Sequence, residues 1–241
     1  MWTSLWGLKK SGMNHRQLIV SVDLWGTLFR LTNDFRLRVY GLLSYYSHFS
    51  PDVISTVMQA MNKKFDDVCI ATGEDIPTEL KANRLLGEIS SSLTYDEYES
   101  ALLQLLKKYP PRYVEMDAIS MIEEYCTSHS AGFVIASNSD FISPIMARSV
   151  LHRFAVTNSQ LSTCAFFPSE LLYANPSRIF FEKIETLTSG KIILHLGDTP
   201  QTDGNIDSRY NPVLLSTSLD NLGKTPYKTI RSLAYINEVT S

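Results

Sequence analysis

The chain has 241 residues, 44% of them hydrophobic, and a formal charge of −3, which suits one large domain or a core carrying a smaller one. Charges of both signs are mixed and no basic run exceeds a pair such as Lys107-Lys108, so nucleic acid and anionic membrane surfaces are not expected partners. Cys69, Cys126 and Cys164 and the scattered histidines lack metal spacing, and no apolar run approaches the roughly 20 residues that cross a bilayer; a soluble cytoplasmic protein with reduced thiols is expected.

The opening "MWTSLWGLKKSGMNHR" is read as an N-terminal extension over 1–16, because its apolar part precedes the lysines, the reverse of a signal peptide. From Gln17 to Leu24, "QLIVSVDL" is short, β-branched and nearly continuous in apolar character, which predicts a buried strand. Helical spacing takes over at Phe35, Val39, Leu42, Leu43, Tyr46 and Phe49. Ser50-Pro51 reads as an N-cap followed by proline at the first helical position, opening a second helix. "PTELKANRLLGEIS" predicts a third. Thr94 and Glu97 make a capping-box pattern before a fourth, which Tyr109-Pro110-Pro111 ends.

Thereafter helices and strands alternate: helix over Met116–Ser128, strand "AGFVIAS", helix over Ile142–Leu151, strand "CAFF", helix over Ser177–Leu187, strands "KIILHL" and "PVLLS", and a final helix over "YKTIRSLAYINEV". Alternation of this kind predicts an α/β fold with a parallel, Rossmann-like sheet covered on both faces. Its core spans 17–32 and 112–241, and a four-helix insert occupies 33–111.

In open parallel sheets, ligands bind beyond the carboxyl ends of the strands. Three such ends are polar here: Asp23 after the first strand, Ser137-Asn138 after "FVIA", and Gly197-Asp198, followed by Asp203, after "IILHL". Singly, each reads as a turn or cap residue. Together they bring carboxylates and a hydroxyl to one rim, the oxygen set that Mg²⁺ requires.

The motifs resemble those of the haloacid dehalogenase (HAD) superfamily. "DLWGT" at Asp23, Gly26 and Thr27 matches its first motif, D-x-D-G-T; "VIAS" at Ser137 matches its second, and "GDTPQTD" at Asp198 and Asp203 its fourth. The insert lies where that family carries a helical cap. The resemblance implies that Asp23 forms an aspartyl-phosphate and that Ser137 hydrogen-bonds a phosphoryl oxygen, with Thr27, Asn138 and Asn175 on the substrate side. It also implies Mg²⁺ held by Asp23, Asp198 and the Trp25 carbonyl, with Asp203 bound directly or steadying a water.

Two parts of the pattern are missing. Trp25 stands where the family's phosphatases carry a general acid, and an indole N–H has no proton to give at neutral pH. Asn175 stands where the family carries a lysine, or Ala174 if the register slips by one; Arg178 and Lys183 follow. The first expectation is an atypical Mg²⁺-dependent phosphohydrolase acting on a small phosphorylated substrate. The alternatives are an impaired member that binds a phosphorylated ligand or a protein partner, and a carbon–halogen hydrolase suggested by an aromatic at position 25. His195 is expected to pack against a helix, and Arg30 to be solvated or to reach an anionic substrate.

Overall fold

The structure, a computed structural model, describes residues 17–138, 140–154, 165–216 and 227–239. Strand β1 (Gln17–Val22) is the apolar run read from the sequence, two residues shorter. After it come β2 (Phe29–Arg30) and helices α1 (Asn33–Tyr45), α2 (Pro51–Thr72), α3 (Thr78–Glu88) and α4 (Tyr95–Lys108). The predicted caps are present: the Ser50 hydroxyl accepts from Val53 N–H, and Thr94 and Glu97 form the reciprocal capping box. The remaining elements are β3 (Arg112–Tyr113), α5 (Ala118–Ser128), β4 (Ala131–Ala136), α6 (Pro144–Phe154), β5 (Ala165–Phe166), α7 (Pro168–Leu171), α8 (Arg178–Thr188), β6 (Gly190–Gly197), β7 (Pro212–Leu215) and β8 (Lys228–Ile230). Cys164, the first residue of the predicted "CAFF" strand, lies outside the described residues.

Six strands form one sheet in the order β5-β4-β1-β6-β7-β8, every pair parallel. Its two faces are buried in separate apolar layers. Val20, Val22, Ile135, Leu194 and Leu196 pack with α5, α6 and the inserted helices. Ile19, Val134, Ala136 and Ile192 pack with Phe180, Phe181 and Ile184 of α8. Between β1 and β6 the register shifts after Ile19, which pairs with Ile192 while Val20 pairs with Leu194. One extra residue reverses the side-chain alternation. His195 therefore points to the α8 side, edge-on to Phe181, as the sequence reading expects.

The predicted C-terminal helix is not formed. Lys228–Ile230 instead adds strand β8 alongside β7, and a 3-10 segment, Leu233–Val239, follows. β-branched Thr229 and Ile230 suit the open edge of β7, and the three-residue spacing of buried Leu233 and Ile236 suits a 3-10 helix. The Glu115 carboxylate accepts the Leu233 N–H and the Ser232 hydroxyl at the start of that segment. Strands β2 and β3, unpredicted, pair antiparallel where the chain enters and leaves the insert. Two-residue strands carry too little periodicity to be read from sequence.

Candidate active site

β1 and β6 are neighbours, and their ends set the floor of the site. The Asp23 N–H donates to the Leu196 carbonyl at 2.8 Å, and Gly26 takes φ +89° in the turn that follows. A Cβ at Gly26 would overlap the Asp198 carboxylate, so glycine lets the first motif's backbone lie directly against Asp198. Thr27 is buried, and its hydroxyl donates to Asp23 Oδ2 at 3.4 Å. Asp23, Asp198 and Asp203 each offer a carboxylate oxygen within 4.8 Å of the others.

Such crowding is costly without a counter-charge. Burial, then the charges of Asp203 and Asp198, push the Asp23 carboxyl well above its ordinary range, against the pull of Ser137 and the Leu24 N–H. Asp198 is pushed up to about 6, first by burial and then by Asp203, with the Thr199 hydroxyl and Arg30 opposing. A divalent cation would relieve this repulsion, and an all-oxygen donor set with the Trp25 backbone next in the chain suits Mg²⁺.

The three acids are not equivalent. Asp203 is 2% exposed and accepts four hydrogen bonds: Asp198 N–H at 3.1 Å and Thr199 N–H at 3.0 Å on Oδ2, Asn175 Nδ2 at 2.5 Å and His195 Nε2 at 3.1 Å on Oδ1. His195 Nδ1 meets the Ser21 hydroxyl at 3.0 Å. The geometry makes Asp203 the anchor of the Gly197–Asp203 loop, with Asp23 and Asp198 holding the freer oxygens. No sequence signal linked His195 to Asp203, because the link depends on the shifted register of β6.

Ser137 is fully buried at the end of β4, its hydroxyl donating to the Asn138 carbonyl at 3.0 Å. The Asn138 side chain braces the backbone of Asn175, donating to its carbonyl at 2.8 Å and accepting its N–H at 3.1 Å. Asn175, not Ala174, lines the cavity. Its amide donates to Asp203, and its Oδ1 is buried with no hydrogen-bond partner. The expected lysine position therefore presents no cation. Lys183 donates to the Leu171 carbonyl over the Tyr173 ring, and Arg178 pairs with Glu182, so neither replaces it.

The acids open into a cavity of about 370 Å³ that Trp25, Arg30, Arg36, Asp66 and Asp140 also line. The Trp25 indole N–H is buried without a partner. Arg30 lines the cavity while remaining exposed to solvent. Arg36, Asp66 and Asp140 were missed. They sit on exposed or half-buried positions of α1, α2 and the loop after β4, where a charged residue carries no signal of its own.

No family model matches the sequence, and no curated protein matches it. Solved structures do. The HAD-hydrolase YfnB from Bacillus subtilis, bound to magnesium, superposes with a TM-score of 0.61 at 14% identity over 93% of this chain and 99% of that one. This is the haloacid dehalogenase-like fold. L-2-haloacid dehalogenase from Xanthobacter autotrophicus shares the HAD-like fold at TM-score 0.59 and 14% identity, covering 92% of this chain and 97% of its own. CbbY from Rhodobacter sphaeroides, in complex with phosphate, does so at TM-score 0.55 and 11% identity, covering 92% and 96%. At these identities the HAD-like architecture is shared, and chemistry must be argued from the site. Among the described residues no helix is long and apolar enough to cross a membrane.

Proposed function

We propose that the chain is a Mg²⁺-dependent phosphohydrolase that works through an aspartyl-phosphate on Asp23. The observation carrying this reading is the convergence of Asp23, Asp198 and Asp203 within 4.8 Å beyond the strand ends. Mg²⁺ would be held by Asp23, Asp198 and the Trp25 carbonyl, and would neutralise charge on the transferring phosphoryl group. Thr27 fixes the Asp23 carboxylate by its hydrogen bond, leaving an oxygen to attack phosphorus in line while the ester oxygen departs. Ser137 turns its hydroxyl to a phosphoryl oxygen. Water then releases phosphate and regenerates Asp23.

Trp25 leaves no acid beside the nucleophile, so leaving groups that depart unaided are the informative first probes; acyl phosphates and phosphoanhydrides belong to that class. We read residues 33–111 as a cap that selects a small phosphorylated substrate, over a core of 17–32 and 112–241, in a cytoplasmic protein. A second reading, an impaired member that binds its ligand without turnover, is favoured by one observation: Asn175 offers no charge where a lysine is expected. A carbon–halogen hydrolase is disfavoured, because without a cation two carboxylates, Asp198 and Asp203, would repel the charge of the nucleophile Asp23.

Acetyl phosphate separates these readings. Mg²⁺-dependent hydrolysis abolished by Asp23→Asn supports the phosphohydrolase. Mg²⁺ and phosphate binding without hydrolysis supports the binder. Halide release from a 2-haloacid in chelator supports the third.

A further inference from the structure

Hydrolysing an alkyl phosphate needs a proton for a poor leaving group, and Trp25 has none to supply. In-line attack fixes where an acid must stand. The leaving oxygen lies on the side of phosphorus away from Asp23, so the acid faces Asp23 across the bound phosphoryl group, not beside it. With the nucleophile about 3 Å from phosphorus and the acid about 3 Å from the leaving oxygen, the two carboxyl groups stand roughly 7–8 Å apart. Asp23 and Asp66 both line one cavity of about 370 Å³, a volume within the range of small-ligand sites.

Resting on the phosphohydrolase reading, we propose that Asp66 of α2, lining the same cavity as Asp23, is the general acid and base that Trp25 cannot be. In the first step the Asp23–phosphorus bond forms and the phosphorus–ester oxygen bond breaks, with the Asp66 proton passing to the departing alkoxide. In the second, water attacks phosphorus from the vacated side and gives a proton to the Asp66 carboxylate. The Asp23–phosphorus bond breaks, and both acids return to their starting state.

The surroundings of Asp66 suit this work. Burial, then the Asp140 charge from the loop after β4, push its carboxyl up to about 6, with Lys81 of α3 opposing and Asp67 of its own helix adding slightly. Lys81 is itself committed to Asp75, at 3.1 Å. A carboxyl in that range is partly protonated near neutrality and can both give and take a proton. Asp140 also lines the cavity, and its carboxyl too is raised by burial and opposed by Lys81. It is the better candidate for tuning Asp66, whose proton it helps retain. Arg30 and Arg36, the cations lining the cavity, have no acid role.

The test compares wild type, Asp66→Asn, Asp66→Glu and Asp140→Asn on ethyl phosphate and acetyl phosphate with Mg²⁺. Asp66→Asn should lower ethyl phosphate turnover by about 10²–10³-fold and acetyl phosphate turnover by less than tenfold, with Asp66→Glu partly restoring the ester reaction. Wild-type kcat/KM for the ester should fall as pH rises above about 6, the carboxyl losing its proton. Asp140→Asn should move that limb to lower pH and keep it. Carbon-13 NMR of the aspartate carboxyls in the metal-free protein should show resonances titrating near pH 6, of which Asp66→Asn removes one and Asp198→Asn another.

Equal losses on both substrates, or no loss on the ester, overturn the assignment. So does a wild type active on acetyl phosphate alone, loss of the limb in Asp140→Asn but not in Asp66→Asn, or an Asp66 carboxyl titrating below pH 4.5. A wild type inert to both compounds overturns the phosphohydrolase reading itself, and the assignment with it.

Discussion

Replacing Asp203 with alanine tests whether this carboxylate is the anchor of the site. Two of its four donors, the Asn175 amide and the His195 ring, are 1% and 0% exposed and would be stranded. Each stranded donor costs about 1–3 kcal/mol. The other two, the N–H groups of Asp198 and Thr199, sit near the exposed end of the loop and regain water. Against this, the repulsion that raises Asp23 and Asp198 falls, a gain on the order of 1 kcal/mol. The net expectation is a destabilisation of about 1–5 kcal/mol, or a Tm lowered by roughly 2–20 °C for a chain of this size.

Asp203→Asn should behave differently. One amide oxygen still receives the two backbone N–H groups. The new amino group meets Asn175, which can turn its unpartnered Oδ1 inward, and His195, which can change tautomer and donate to Ser21 instead. That variant should lose less than about 1 kcal/mol. Urea unfolding of the metal-free proteins at pH 7, with m compared between variants, measures both. An alanine variant within 1 kcal/mol of wild type, or an asparagine variant as weak as the alanine one, refutes the anchor.

Three further outcomes are expected. Asp198→Asn should weaken Mg²⁺ binding at least tenfold in calorimetric titration and Asp203→Asn by much less, because Asp203 has its oxygens engaged; equal losses would make Asp203 a direct ligand. Metal-free protein should lose stability as pH rises from the ordinary carboxylate value of 3.8 through about 6, since folding raises Asp198 and Asp66 and the native state holds the extra protons. The loss is on the order of 1–2 kcal/mol after solvent screening, and Mg²⁺ should restore it at pH 7; a rise in metal-free stability across that window would contradict the site electrostatics. Tyr98→Phe should be neutral or stabilising by up to about 1 kcal/mol in urea unfolding, because the buried Tyr98 hydroxyl has no hydrogen-bond partner; a loss of 2 kcal/mol would mean that the hydroxyl is held.

Local rules carried much of this protein into view. Apolar continuity marked β1, β4 and β6, and Ser50-Pro51 and the Thr94–Glu97 box marked helix starts, because each is decided by a few adjacent residues. The order of the polar strand ends, Asp23, Ser137 and Asp198, sufficed to predict one rim, since a parallel sheet gathers its carboxyl ends on one side. Tyr227–Val239 was misread for the opposite reason: its conformation follows from an edge that β7 leaves open, and no residue inside the segment announces that edge.

Tertiary structure alone decided how the acids divide their work. Whether Asp203 binds a cation or anchors a loop depends on four donors, one from Asn175 and three from His195, Asp198 and Thr199, and on a register shift in β6 that turns His195 toward it. Asp66 and Asp140 acquire raised pKa values only because folding sets them near each other and away from water. Residue type names the groups that can bear charge; burial and neighbours determine which of them keep it, because electrostatic energy depends on distance and dielectric, quantities that exist only once the chain has packed.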